Sequence, residues 1–169
     1  MGKGHYNKIA GTYDQRWKNY TRRTLHKLME YLPASLEGKR VLDFGCGTGE
    51  LIKILLRHKP KLKEVTAYDP AEEMLRQARN KLEKLPERQQ EKVVLLNKQE
   101  YGTNFDLVVS SSVLHYLPEP AETLLHFNSL LKGGGTLVLL DYTKNSLPVK
   151  YFRWLVRWVD PAHHQAFYP

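Results

Sequence analysis

The run Arg40 to Glu50, RVLDFGCGTGE, constrains this chain more than any other stretch. Val41, Leu42 and Phe44 suit a short buried strand. Gly45, Gly47 and Gly49 punctuate its exit, and Leu51, Ile52, Ile54 and Leu55 open an apolar helical pattern. The order is strand, glycine-rich turn, helix. Glycine reaches backbone angles that other residues avoid. It also lets a flat ligand lie against the main chain, before a helix N-terminus whose N–H groups attract a carboxylate or phosphate.

Two ligand classes fit the residues poorly. A phosphate-cradling loop needs Gly-Lys-Ser/Thr after its glycines, and here Thr48-Gly49-Glu50 follows. A dinucleotide turn wants a small residue at its sixth position, which is Glu50 here. Asp43, two residues before the first glycine, would face a pyrophosphate unfavourably and suits a ligand carrying positive charge. Glu64 to Tyr68 reads as a second strand that ends at Asp69. An acid there, about 20 residues past the turn, can take a ribose diol in two hydrogen bonds. Pro70 suits a first helical position, so Asp69 is also expected to cap the following helix. Met74 lies one turn into that helix, against a ligand ring or the core.

Asp43-Phe44-Gly45-Cys46-Gly47-Thr48-Gly49 resembles the first motif of the class I S-adenosylmethionine-dependent methyltransferases. Phe105 to Leu117, FDLVVSSSVLHYL, resembles the fourth-strand signature of that family, and Leu130 to Gly135 its exit into strand five. Tyr6-Asn7-Lys8-Ile9-Ala10 with Tyr13-Asp14 resembles the aromatic lid segment of its small-molecule members. The resemblance covers Tyr6 to Tyr142. It implies a Rossmann-like α/β three-layer sandwich around a mostly parallel sheet of about five strands. It also implies S-adenosylmethionine as cofactor, with S-adenosylhomocysteine as product. The cofactor-binding residues it implies are Tyr6, Tyr13, Asp43, Gly45, Cys46, Gly47, Gly49, Asp69, Pro70, Met74, Gln99, Ser110 and Ser111. Gln99 stands near where the family usually has an Asp that reads the adenine amino group. A Gln carbonyl is still an acceptor.

Taken in order, 1–32 reads as two helices, one to Tyr20 and one from Thr21 to Leu32, forming an N-terminal helical lid. The aromatic face of the first, Tyr6, Tyr13 and Trp17, serves either packing or a sulfonium. Residues 40–142 read as the cofactor-binding core. It has a helix from Ala71 to Leu85, a polar break from Pro86 to Glu91, strands at Lys92 to Leu96 and Phe105 to Ser110, and a helix from Ala121 to Leu131. A glycine exit at Lys132 to Gly135 precedes a strand at Thr136 to Leu140, apolar on both faces. Residues 143–169 read as an aromatic-basic tail whose segment VKYFRWLVRWV suits a helix, a substrate lid or an interfacial anchor. The family's last two strands have no counterpart. Either the tail folds back over the exposed sheet edge or a second chain pairs with it, giving a homodimer.

At 169 residues the chain is expected to be one domain. The formal charge of +8 permits anionic small molecules, nucleic acid or an anionic surface, and selects none. Cys46 is the sole cysteine, so an internal disulfide is excluded and a reducing cytoplasm is the expected compartment. The start lacks the apolar core of a signal peptide, and no run is long enough for a membrane span. His163-His164 reads as a polar turn, and no metal site is expected. His115 and Tyr116, with Tyr142, are the candidates for a base. Ser110-Ser111-Ser112-Val113 replaces the Asn/Asp-Pro-Pro-Tyr run of enzymes that methylate base amino groups. A small methyl acceptor, for which the basic surface permits an anion, is therefore expected, with RNA or a protein as the alternatives. The alternatives are a non-catalytic or truncated S-adenosylmethionine-binding domain, and a nicotinamide-dependent oxidoreductase, against which Asp43 and Glu50 speak.

Overall fold

The computed structural model describes residues 3–141. Within them, five parallel strands form one sheet in the order β3-β2-β1-β4-β5. The strands are β1 Arg40–Phe44, β2 Glu64–Tyr68, β3 Val93–Leu96, β4 Phe105–Ser111 and β5 Leu131–Leu140. The helices are α1 Lys3–Glu30, α2 Glu50–His58, α3 Glu72–Leu82, the single turn α4 Glu87–Gln90, and α5 Pro120–Leu130. A 3-10 turn at Leu114–Tyr116 follows β4.

Alternation along each strand divides the core. Val41, Val65, Ala67, Leu107 and Val109 pack with α1, α2 and α3 on one face, through Leu28, Ile52, Leu55 and Leu75. Leu42, Phe44, Tyr68 and Val108 pack on the other face with Tyr101 and with Phe127 and Leu130 of α5. Both faces are covered, as a parallel sheet requires. The chain leaves β1 to build outward through β2 and β3, then returns to place β4 on the opposite side of β1. The carboxyl ends of β1 and β4 thus flank the crevice where open α/β sheets bind ligands.

Four expectations need correction. The N-terminal region is one continuous helix, α1, not two. Nothing in Asn19-Tyr20-Thr21-Arg22 breaks a helix, and the inward face runs on unbroken through Ala10, Leu25 and Leu28. The helix after Asp69 stops at Leu82 rather than Leu85. The polar break holds the helical turn α4. The glycine exit is absorbed into β5, whose pairing with β4 shifts register between Phe105 and Leu107 so that Gly133 to Gly135 bulge out. In β5 only Val138 is buried, and Leu137, Leu139 and Leu140 are half-buried. The aromatic-basic tail, Tyr142 and His163-His164 lie outside the described residues. Among the described residues, no helix is long and apolar enough to cross a membrane, and no cluster of ligating side chains would hold a metal.

Candidate active site

The glycine turn is shaped by its neighbours. Gly45, Gly47 and Gly49 have φ of +80°, +53° and +77°. A side chain at Gly45 would meet Val113 Cγ2 at 2.3 Å, and one at Gly49 would meet Ala78 Cβ at 3.0 Å. Gly45 is therefore needed for the approach of the β4 exit, and Gly49 for the packing of α3 on α2.

The N–H groups of the turn are not offered to an anion. Gly45 N and Cys46 N donate to the Tyr68 carbonyl at 2.7 and 2.9 Å, and Gly49 N donates to the Cys46 carbonyl. Gly47 N donates to Asp69 Oδ2 at 2.9 Å. The turn itself is stitched to the end of β2.

Asp69 has its other oxygen bonded as well, Oδ1 accepting from Ala71 N at 2.8 Å. It does not cap α3, whose N-cap residue is Ala71, with Pro70 before the helix rather than inside it. The first turn of α3 is served from a distance, by Asn7 Oδ1 of α1 accepting from Glu73 N at 3.0 Å. Each Asp69 oxygen keeps a lone pair for a further donor. Burial raises its carboxyl above the usual range, offset in part by the two N–H bonds. Asp43 is buried in β1 beside it, and its Oδ2 has no hydrogen-bond partner among the described residues. Burial first, and then the Asp69 charge, push the Asp43 carboxyl up from 3.8 to about 7.

A cavity of about 220 Å³ opens at this edge of the sheet. Ten of the expected residues line it: Tyr6, Tyr13, Gly45, Gly47, Asp69, Pro70, Met74, Gln99, Ser111 and Tyr116. Asp43, Cys46, Gly49, Ser110 and His115 do not. Ser110 turns back to donate to the Phe44 carbonyl at 2.9 Å. His115 is 1% exposed, with Nδ1 2.6 Å from Asp141 Oδ1. Sequence reasoning missed the lining by Phe44, Tyr68, Ala71, Ser112, Val113, Leu117 and Pro118. Phe44 and Tyr68 end β1 and β2, so their place at the carboxyl edge was a usable signal. Ser112 was not legible, because its φ of +60° re-aims the chain after β4.

The helix α1 closes the cavity and is fastened at three places. Asn7 serves α3 as above. Asp14 Oδ1 accepts from Thr48 Oγ1 at 2.6 Å, and Lys81 Nζ reaches Asp14 Oδ2 at 2.6 Å, Thr48 Oγ1 at 2.9 Å and Glu50 Oε2 at 3.2 Å. Tyr20 Oη and Ser112 Oγ share a 2.7 Å hydrogen bond. Between these points Tyr6, Ile9 and Tyr13 pack around a small core of Ala10, Ala71 and Met74.

Residues 16–169 match a family described as a methyltransferase domain. The chain belongs to the class I S-adenosylmethionine-dependent methyltransferases. Among its relatives, the malonyl-[acyl-carrier protein] O-methyltransferase of Halalkalibacterium halodurans is 30% identical, over 82% of this chain and 53% of that protein. The ubiquinone biosynthesis O-methyltransferase of Coxiella burnetii is 30% identical, over 66% of this chain and 47% of that one. This methyltransferase-family chain thus spans about half the length of these relatives. An S-adenosylmethionine-dependent methyltransferase structure from Mesorhizobium loti superposes with a TM-score of 0.58 at 26% identity, over 69% of this chain and 52% of that one. The fold alone is shared, at a TM-score of 0.76 and 20% identity, with a chain from a Haloferax volcanii complex that contains the Trm112 methyltransferase activator. That likeness covers 96% of this chain and 70% of that one.

Proposed function

We propose that this chain binds S-adenosylmethionine in the cavity and passes its methyl group to an oxygen atom of a small-molecule acceptor. The charge of the cavity carries the reading. Its described lining contains Asp69 and no Lys, Arg or His, in a chain with 26 Lys and Arg against 18 Asp and Glu. A phosphate-bearing dinucleotide would meet acid and no cation. A sulfonium with an ammonium group suits the same surroundings. The orphaned Asp43 Oδ2 adds a second buried acid in want of a positive partner.

The residues present fit the group. Asp69 would hold the ribose hydroxyls through its remaining lone pairs, and Gln99 would accept from the adenine amino group. Met74 would pack on the adenine, and Asp43 would favour the ammonium by its field. When bound, S-adenosylmethionine supplies a methyl on a sulfonium whose leaving group is a neutral thioether. The task of the protein is then to orient the acceptor and exclude water. Packing of α1 around Ala10, Ala71 and Met74 supplies the exclusion.

An oxygen acceptor is supported by the two relatives, both O-methyltransferases. A carboxylate acceptor, already ionised, would need no base, whereas a phenol would call on one. His115 is buried and paired with Asp141. Of the base candidates among the described residues, only Tyr116 lines the cavity. The test is transfer of labelled methyl from S-adenosylmethionine to a panel of carboxylates, phenols, amines and RNA. Label in base-labile methyl esters or in aryl ethers is expected. Label in amines or RNA alone would overturn the oxygen-acceptor reading.

A further inference from the structure

The charge of the chain is unevenly placed. Residues 31–141, which hold the whole sheet, carry fifteen Lys and Arg against fifteen Asp and Glu. The helix α1 alone carries seven against two, and residues 142–169 carry four against one. The formal charge of +8 thus belongs wholly to the first helix and to the tail.

On α1 the cations gather on the outward face. Ala10, Leu25 and Leu28 are buried, while Lys8, Arg16, Lys18, Arg22 and Arg23 are exposed. Lys8 to Arg23 spans about 22 Å of helix, at 1.5 Å per residue. Both acids of α1 are engaged, Asp14 with Lys81 at 2.6 Å and Glu30 with Lys27 at 2.6 Å. The five exposed cations form no ion pair among the described residues. Aromatic rings accompany the basic side chains. The Arg16 guanidinium lies 5.8 Å from the ring centroid of half-buried Trp17. Lys27 Nζ lies 5.4 Å from that of Tyr31, which is 65% exposed just past the helix. Cations interleaved with amphipathic rings on one helix suit the boundary between water and lipid headgroups.

We propose that the outward face of α1 docks the chain peripherally on an anionic lipid bilayer. The footprint decides among the anions that a basic face could take. A small anion would meet only one or two of the five cations. A nucleic-acid backbone is tracked by a groove, and a single helix presents a convex face. A broad anionic surface meets all five together, and each cation near it adds attraction. The tail repeats the composition in its sequence, with Trp154 and Trp158 among Lys150, Arg153 and Arg157. Two such signals hold a chain at a bilayer more firmly than one. Because α1 also closes the cavity, docking places the cavity beside the headgroups. Such docking is independent of what the cavity binds.

The test is co-sedimentation of the full chain with vesicles of phosphatidylcholine, alone or mixed with phosphatidylglycerol, with circular dichroism to check folding. Binding is expected only to the mixed vesicles and should fall steeply as salt is raised. The triple variant Lys18→Gln, Arg22→Gln, Arg23→Gln is expected to bind about 100-fold more weakly, at about five-fold per cation. A control triple, Arg57→Gln, Lys63→Gln, Lys98→Gln, removes three exposed cations from the neutral body. It should stay within about three-fold of the parent, because those cations lie away from the docked face. Equal loss in the two triples would make the attraction one of net charge and overturn the α1 surface. Full binding by the α1 triple, or no binding by the parent, would overturn it as well. Tighter binding of the parent to a labelled oligouridylate than to the mixed vesicles, lost in the α1 triple, would make nucleic acid the partner and overturn the bilayer.

Discussion

Asp43 and Asp69 concentrate the chemistry of this chain at single side chains. Asp43 has its carboxyl pushed to about 7, mainly by burial. Between pH 4 and 7, roughly, the folded chain therefore keeps a proton that the unfolded chain has released, and stability falls as pH rises through that window. Thermal melting of the ligand-free protein should show this decline. Asp43→Asn should flatten it, and an unchanged slope in that variant would remove Asp43 as its source. A ligand that brings positive charge favours the ionised form, so its binding should expel a proton and tighten as pH approaches 7. Asp69→Ala should weaken S-adenosylhomocysteine by roughly 1–3 kcal/mol, the scale of hydrogen bonds to a charged group. The melting temperature should also fall, because Gly47 N and Ala71 N lose their acceptor. Full affinity in a folded Asp69→Ala protein would leave Asp69 a purely structural residue. The Asp43 and Asp69 positions were legible, since each is an acid at a strand end beside a glycine turn. Their bonding was not: that Asp69 holds Gly47, and that Asn7 rather than Asp69 serves the first turn of α3, depends on contacts across 22 and 66 residues.

Among the elements, α1 shows what periodicity does and does not carry. The aromatic face at Tyr6 and Tyr13 was readable from helical spacing, and both residues line the cavity. The length of the helix was misread although no breaker stands near residue 20. Its fastening was unreadable, because Asp14, Thr48, Glu50 and Lys81 come from three separate segments. In that network Lys81 is mostly buried while Asp14 is half-exposed, so its effect is expected on the motion of α1 more than on global stability. Asp14→Ala should speed release of S-adenosylhomocysteine several-fold in stopped-flow displacement, with a small change in melting temperature. Unaltered release would show that the packing of Ala10 and Met74 alone holds α1 closed. The 3-10 turn after β4 marks the opposite limit. The FDLVVSS run announced a strand, but nothing local in SSVLHY indicates that Ser112 takes a left-handed conformation or that His115 turns inward to Asp141.

For the whole molecule, the resemblance carried by the glycine turn and the fourth-strand run implied a parallel α/β sheet, and the order β3-β2-β1-β4-β5 places the site at the expected edge. The end of the chain was less transparent. β5 is an edge strand among the described residues, with Leu137, Leu139 and Leu140 half-buried, and on α5 Leu125 is 71% exposed. Exposed apolar edges invite association. Deleting residues 149–169 is expected to promote aggregation, read by sedimentation of the intact and shortened chains. A shortened chain that stays monomeric, folded and as stable as the parent would show that edge to be harmless. The central claim concerns the ligand, and calorimetry on the intact protein tests it most directly. S-adenosylhomocysteine should bind stoichiometrically and NAD should give no heat. Binding of NAD with no response to S-adenosylhomocysteine would contradict the account.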